Sequence, residues 1–261
     1  MVATRHPAVS GLFYPAEAKE LSALVTEYLE HAGPAPTVPK AIIAPHAGYV
    51  YSGPVAASAY AALAPARRRI KRVVLVGPAH RVAFNGLALS SCEAFETPLG
   101  LVPVDQAACA GLSSLPGVSI YDGAHSGEHS LEVHLPFLQK VIDDFSIVPL
   151  VIGSASAAEV GSVLERLWGG DETLLVVSSD LSHYHDYDTA RRRDSTTSRA
   201  IEQLRWEQID GDDACGYRGV AGLLWVAQKR GMTVATIDLR NSGDTAGPRD
   251  QVVGYGAYLV A

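Results

Sequence analysis

The sequence predicts a single α/β domain, a mainly parallel sheet with helices on both faces. Three observations carry that prediction. Short aliphatic runs stopped by Pro, Gly or Ser recur at residues 41–44, 73–76, 147–152 and 174–177. Too short for helices and bounded by breakers, they read as buried strands. Longer stretches of helical periodicity separate them, and this alternation is the pattern of a helix-covered sheet. No linker, internal repeat or low-complexity tract divides residues 1–261.

Taken in order, residues 1–15 are expected to be irregular, with Phe13 and Tyr14 beside Gly11 and Pro15. Residues 16–31 predict a helix with Leu21, Leu24, Val25 and Tyr28 on one face, ended by Gly33-Pro34-Ala35-Pro36. Strand 41–44 leads to an alanine-rich helix at 55–63, whose small side chains allow close packing on a sheet. Strand 73–76 meets Gly77-Pro78 as its breaker. A further strand at 87–90 and a helix at 105–112 follow. In residues 124–145 a loop carrying His125, Glu128 and His129 runs into a helix that starts between Ser130 and Pro136, since proline is tolerated in a first turn. Strand 147–152, helix 157–167 and strand 174–177 come next. A helix at 188–204 places Arg191, Arg192 and Arg193 on a solvated stretch. Helix 220–229 precedes strands 234–239 and 252–260, read as antiparallel additions to the sheet.

The chain is 48% hydrophobic and 19% charged, enough for a large core and too apolar for extensive disorder. A net charge of −7 gives no reason to expect nucleic acid or an anionic membrane. No apolar run approaches the roughly 20 residues of a membrane span, and MVATRHPAVSG lacks the apolar core of a signal peptide. Cys92, Cys109 and Cys215 are too few for a disulfide framework. A cytoplasmic protein with reduced thiols is the expectation.

The chemistry gathers past strand ends. His46 follows strand 41–44 and Pro45, and His80 follows strand 73–76 and Gly77-Pro78. Strand 174–177 ends in a third polar cluster, Ser178 to His185. In open α/β sheets ligands bind outside the carboxyl ends of strands. A lone histidine is most often a buried imidazole satisfied by a carbonyl. The same strand–breaker–His arrangement occurring twice favours a shared role, and imidazole is the commonest metal ligand. His125, His129, His134, His183 and His185 lie in or near further loops. His129 and His134 lack the H-E-x-x-H order of zinc metalloproteases. No G-x-S-x-G elbow, dinucleotide fingerprint, P-loop or C-x-x-C occurs.

Five blocks in this order, AIIAPHAGYVYSG, VVLVGPAH, GEHSLEVHLPFLQ, VVSSDLSHYHDYD and ACGYRG, resemble the Memo family, called AmmeMemoRadiSam system protein B in prokaryotes. The likeness runs from SGLFYP to GYGAYL. It implies the fold of class III extradiol dioxygenases, an α/β/α sandwich whose iron is held by two His and one Glu, with cysteine replacing the glutamate in Memo proteins. Carried onto this chain, the resemblance makes His46, His80 and Cys215 metal ligands. It places Asp180 and His183 beside the metal as acid, base or orienting groups. Fe(II) is the expected ion, with Cu or Zn open, because a thiolate also suits softer ions. The resemblance also implies functional association with a radical-SAM protein, and animal members are connected with phosphotyrosine peptides. Three functions follow: a dioxygenase or oxidase acting on a small molecule, a non-catalytic metal- or peptide-binding module, or a zinc-dependent hydrolase.

Overall fold

The structure, a computed structural model, describes residues 3–33 and 37–261. Its strands are β1 (Thr4–Arg5), β2 (Ala41–Ala44), β3 (Arg72–Pro78), β4 (Leu87–Leu89), β5 (Ala94–Thr97), β6 (Gly100–Pro103), β7 (Val118–Ile120), β8 (Ser146–Ile152), β9 (Thr173–Ser178), β10 (His183–His185), β11 (Val234–Asn241) and β12 (Val252–Val260). Its α-helices are α1 (Ala18–His31), α2 (Tyr49–Ala61), α3 (Gln106–Ala110), α4 (Leu135–Val141), α5 (Ala157–Arg166), α6 (Tyr187–Glu202), α7 (Tyr217–Lys229) and α8 (Ser242–Thr245).

The main sheet runs β10-β12-β2-β9-β3-β8-β4-β7, with β11 also pairing β12. Its centre, β2-β9-β3-β8, is parallel throughout. Strand β12 joins β2 antiparallel, and β11 joins β12 antiparallel, as the sequence predicts. Every residue of β2 and β9 is buried, which accounts for their unbroken aliphatic sequences. Helices α1, α2 and α4 pack together, α5 packs on α7, and α6 lies along β11 and β12. The result is an α/β sandwich. Gly219 lets α7 sit close on the sheet, because a Cβ there would lie 3.2 Å from Val177 and 3.3 Å from Ile152.

Several boundaries differ from the sequence reading. Gly77 and Pro78 do not end β3; they continue its pairing with β8 after the pairing with β9 has stopped at Val76. A proline is tolerated where one flank of the strand is already free. Helix α2 begins at Tyr49, six residues before the expected start, and Pro54 lies inside it. The acceptor Pro54 deprives is that of Val50, an exposed residue whose carbonyl water can serve. The amino-terminal segment is irregular except for β1, which joins β5 and β6 in a separate three-stranded sheet. After the loop, a 3-10 turn at Glu132–His134 precedes α4, and the helix starts at Leu135, with Pro136 in its first turn. Of the residues expected to end α1, Pro34, Ala35 and Pro36 lie outside those described.

Two histidines of the sequence roster belong to the interior. The Nε2 of His125 lies 3.0 Å from the Ala88 carbonyl oxygen. The Nδ1 of His134 lies 2.8 Å from the Tyr60 hydroxyl. Burial lowers both from the usual 6.5, His125 to about 4 and His134 to about 3. Below pH 6.5 the unfolded chain therefore takes up protons that the folded chain refuses. Stability is complete above that pH and is lost as pH falls, until about pH 4 for His125 and about pH 3 for His134. Each should remove on the order of 1–2 kcal/mol by pH 5. The urea midpoint should fall between pH 7 and pH 5, and His134→Gln should shrink that fall. An unchanged midpoint across this range would contradict the assignment.

Candidate metal centre

Three adjacent parallel strands end at one rim. His46 lies just beyond β2, Asp180 just beyond β9 and His80 just beyond β3, beside a cavity of about 800 Å³. Cys215, two residues before α7, reaches the same cavity. Gly216 permits that approach. A Cβ on it would stand 2.3 Å from the Ser178 carbonyl oxygen, and its N–H donates to Ser179 Oγ at 3.0 Å. His46, His80 and Cys215 each offer a ligand atom within 4.8 Å of the others.

The hydrogen bonds fix which imidazole nitrogen is free. Ser178 Oγ gives its proton to the Ser130 carbonyl at 2.6 Å, so it can only accept from His46 Nδ1, also at 2.6 Å. His46 then carries its proton on Nδ1 and leaves Nε2 as a lone pair, 3.3 Å from Cys215 Sγ. His80 repeats the arrangement with a carboxylate. Its Nδ1 donates to Glu128 Oε1 at 2.8 Å and its backbone N–H to Glu128 Oε2 at 2.6 Å. Metal-binding histidines are commonly oriented in this way, through the nitrogen that does not bind.

Glu128 is buried and also accepts from the N–H groups of His129 and Ser130. Burial alone would raise its pKa, but the donors, led by His80, hold the carboxylate down to about 2. Burial keeps His46 neutral, lowering its pKa well below the usual value. Burial, then the Asp180 carboxylate, pushes the Cys215 thiol far above its usual range. A cation at this point would reverse the thiol's preference, because thiolate is the form that ligates. The Asp180 N–H points at Sγ from 3.3 Å and would support that charge. Two imidazole lone pairs and a thiol beside an N–H donor fit Fe(II), Zn(II) or Cu(I).

Asp180 accepts from the His46 N–H at 2.7 Å through Oδ1, and its Oδ2 lies 4.0 Å from His46 Nε2. Burial raises its pKa above the usual carboxylate value. His183 and His185 line the cavity from β10. His129, to which the sequence gives no role, is drawn in as well. Its ring stacks on His80 with centroids 4.7 Å apart and packs on Phe13 at 4.8 Å. The local sequence carries no signal for Glu128, because the histidine it holds is 48 residues away. His125 and His134 take no part in lining the cavity.

The cavity at the strand ends of this α/β sandwich is walled by histidines and one cysteine. The chain belongs to the Memo family: the family described as "Memo-like protein" matches residues 5–259. It is 37% identical to a MEMO1 family protein of Methanosarcina acetivorans, with 98% of each chain covered. It is 35% identical to one of Aquifex aeolicus, with 96% of this chain and 97% of that protein covered. Among solved structures, an uncharacterized protein of Escherichia coli K12 matches with a TM-score of 0.53 at 16% identity, covering 84% of this chain and 98% of that one. At that identity the likeness speaks for the fold alone.

If Glu128 sets the tautomer of His80, Glu128→Gln should weaken binding of a divalent ion by about 10- to 100-fold, the usual cost of losing an orienting partner. Isothermal titration of the metal-free protein measures it, with circular dichroism as the check on folding. Wild-type affinity in the folded variant would remove Glu128 from the metal centre.

Proposed function

We propose that this chain is a non-haem metal-dependent oxidoreductase of dioxygenase type acting on a small molecule. In this reading His46, His80 and Cys215 hold one ion, Fe(II) in the first place, with Cu or Zn as alternatives. The observation that supports it is the free Nε2 of His46, held toward the Cys215 sulfur by the committed Ser178 hydroxyl. Two neutral imidazoles and a thiolate would leave coordination positions open on the side of the cavity. An Fe(II) ion bound there would supply sites for dioxygen and substrate together.

The chain's own residues would manage protons and position. Asp180 is the acid or base of the reading. Its burial lets the carboxyl hold a proton at Oδ2, 4.0 Å from His46 Nε2, where a group on a bound substrate could take or give it. His183, at the cavity wall, is the complementary base or acid. His129 closes one wall and restrains the His80 ring by stacking on it. Phe13, from the amino-terminal segment, covers His129 and excludes water from that side. No helix among the described residues is long and apolar enough to cross a membrane; a cytoplasmic location and association with a radical-SAM protein remain part of the proposal.

An oxygen electrode tests the reaction class. Protein loaded anaerobically with Fe(II) should consume oxygen in the presence of simple catechols, and the zinc-loaded protein should not. Asp180→Asn and His183→Gln should each lower the rate by about 10²-fold or more while retaining the metal. Catechol-independent oxygen uptake, or ester hydrolysis by the zinc form alone, would overturn the dioxygenase reading.

Cys215→Glu asks what the sulfur is for. Carboxylate is a poor partner for a soft ion, so the substitution should cut Cu(I) affinity sharply and retain Fe(II). Competition titrations with a Cu(I) chelator measure the change. Unchanged Cu(I) affinity in a folded variant would show that sulfur does not select the metal.

A further inference from the structure

Among the described residues, two that are not glycine hold a left-handed backbone, Leu204 with φ of 56° and Tyr184 with φ of 61°. Leu204 follows Gln203, the C-cap of α6, and a left-handed residue is the ordinary way for a helix to end. Tyr184 is not at a helix end; it lies where the pairing of β10 with β12 shifts register. It sits in the middle of β10, and for a bulky side chain this conformation is strained. The residue is 71% exposed and forms no side-chain hydrogen bond among the described residues; its ring contact is with His183, centroids 5.7 Å apart.

Tyr184 also borders the cavity. Along a regular strand, successive side chains point to opposite faces, so His183 and His185 would face the cavity and Tyr184 would face away. Here the pairing of β10 with β12 shifts register between His183 and His185. All three residues line the same cavity. Strained backbone that persists beside a reactive site is a pointer to function.

We propose that Tyr184 is a specificity-determining residue whose exposed ring stacks on the planar part of a substrate held at the metal centre. The proposal rests on the reading of His46, His80 and Cys215 as metal ligands and deepens it by naming the side chain that selects a flat, π-bearing substrate. A phenol ring presents its face at low entropic cost. Aromatic pairs of this kind change affinity by about two- to tenfold.

The test uses full-length protein loaded with Fe(II) under anaerobic conditions, so that binding is read without turnover. Two chelating probes are titrated spectrophotometrically, 4-nitrocatechol, which is planar and aromatic, and acetohydroxamate, which is not aromatic. Tyr184→Gly accepts the left-handed backbone and removes the ring; Tyr184→Phe keeps the ring. Tyr184→Gly should weaken 4-nitrocatechol binding by about fivefold, leave acetohydroxamate unchanged and raise the urea midpoint, because the strain is relieved. Tyr184→Phe should bind both probes as wild type does. Equal affinity of wild type and Tyr184→Gly for 4-nitrocatechol, or equal losses for both probes, would overturn the proposal. Wild type that binds acetohydroxamate and not 4-nitrocatechol would overturn it while the metal centre stands. Binding of neither probe would overturn the metal centre itself.

Discussion

Two carboxylates four residues apart, Glu128 and Glu132, hold the loop on which the cavity depends. Glu132 is completely buried and pairs with Arg5; it also accepts from the N–H groups of Ala8 and Val9 and from the Tyr14 hydroxyl. Arg5 in turn donates to the carbonyls of His125 and Glu128. The amino-terminal segment is thereby fastened to the loop, and Phe13 is carried onto His129. Glu128 turns to the other side and sets His80. A buried charge left without its partner typically costs about 3–5 kcal/mol, so losing either carboxylate would loosen both the segment and the site.

Parallel pairing supplies the rest of the geometry. Register between β2 and β9 and between β9 and β3 brings three chain segments far apart in sequence to one level. The residue past each end then meets the others without long loops. Burial makes this rim neutral: His46 loses its proton and Cys215 keeps its own. Such a site suits a cation, whose charge replaces the charges that burial removes and converts the thiol to a thiolate. Oxidisable sulfur and a raised Asp180 carboxyl lie within the same small volume, so metal, proton and redox chemistry would be coupled here.

The sheet and the two strand-end histidines were legible because their signals are local. An aliphatic run, a breaker and a histidine need no partner to be recognised. Cys215 was legible only through the family blocks, since its place is set by the closeness of Gly216 to the Ser178 carbonyl, a contact between residues 38 positions apart by number. Glu128 and the orienting hydroxyl of Ser178 were hidden for the same reason. The roles of His125 and His134 stayed open because loop position says nothing about which face a ring takes; their carbonyl and tyrosine partners decide it. The early start of α2 was masked by Pro54, and the β5–β6 hairpin by strands too short to show a period. The left-handed Tyr184 has no sequence signal, because local preference argues against it.

The central claim is that two imidazoles and one thiolate hold a single ion. X-ray absorption spectroscopy on protein loaded with one equivalent of Fe(II) without oxygen measures this most directly. The account predicts a first shell containing one sulfur and two imidazole nitrogens, with the sulfur lost in Cys215→Ser and one imidazole lost in His46→Ala. A first shell of nitrogen and oxygen alone in the wild-type protein would contradict it.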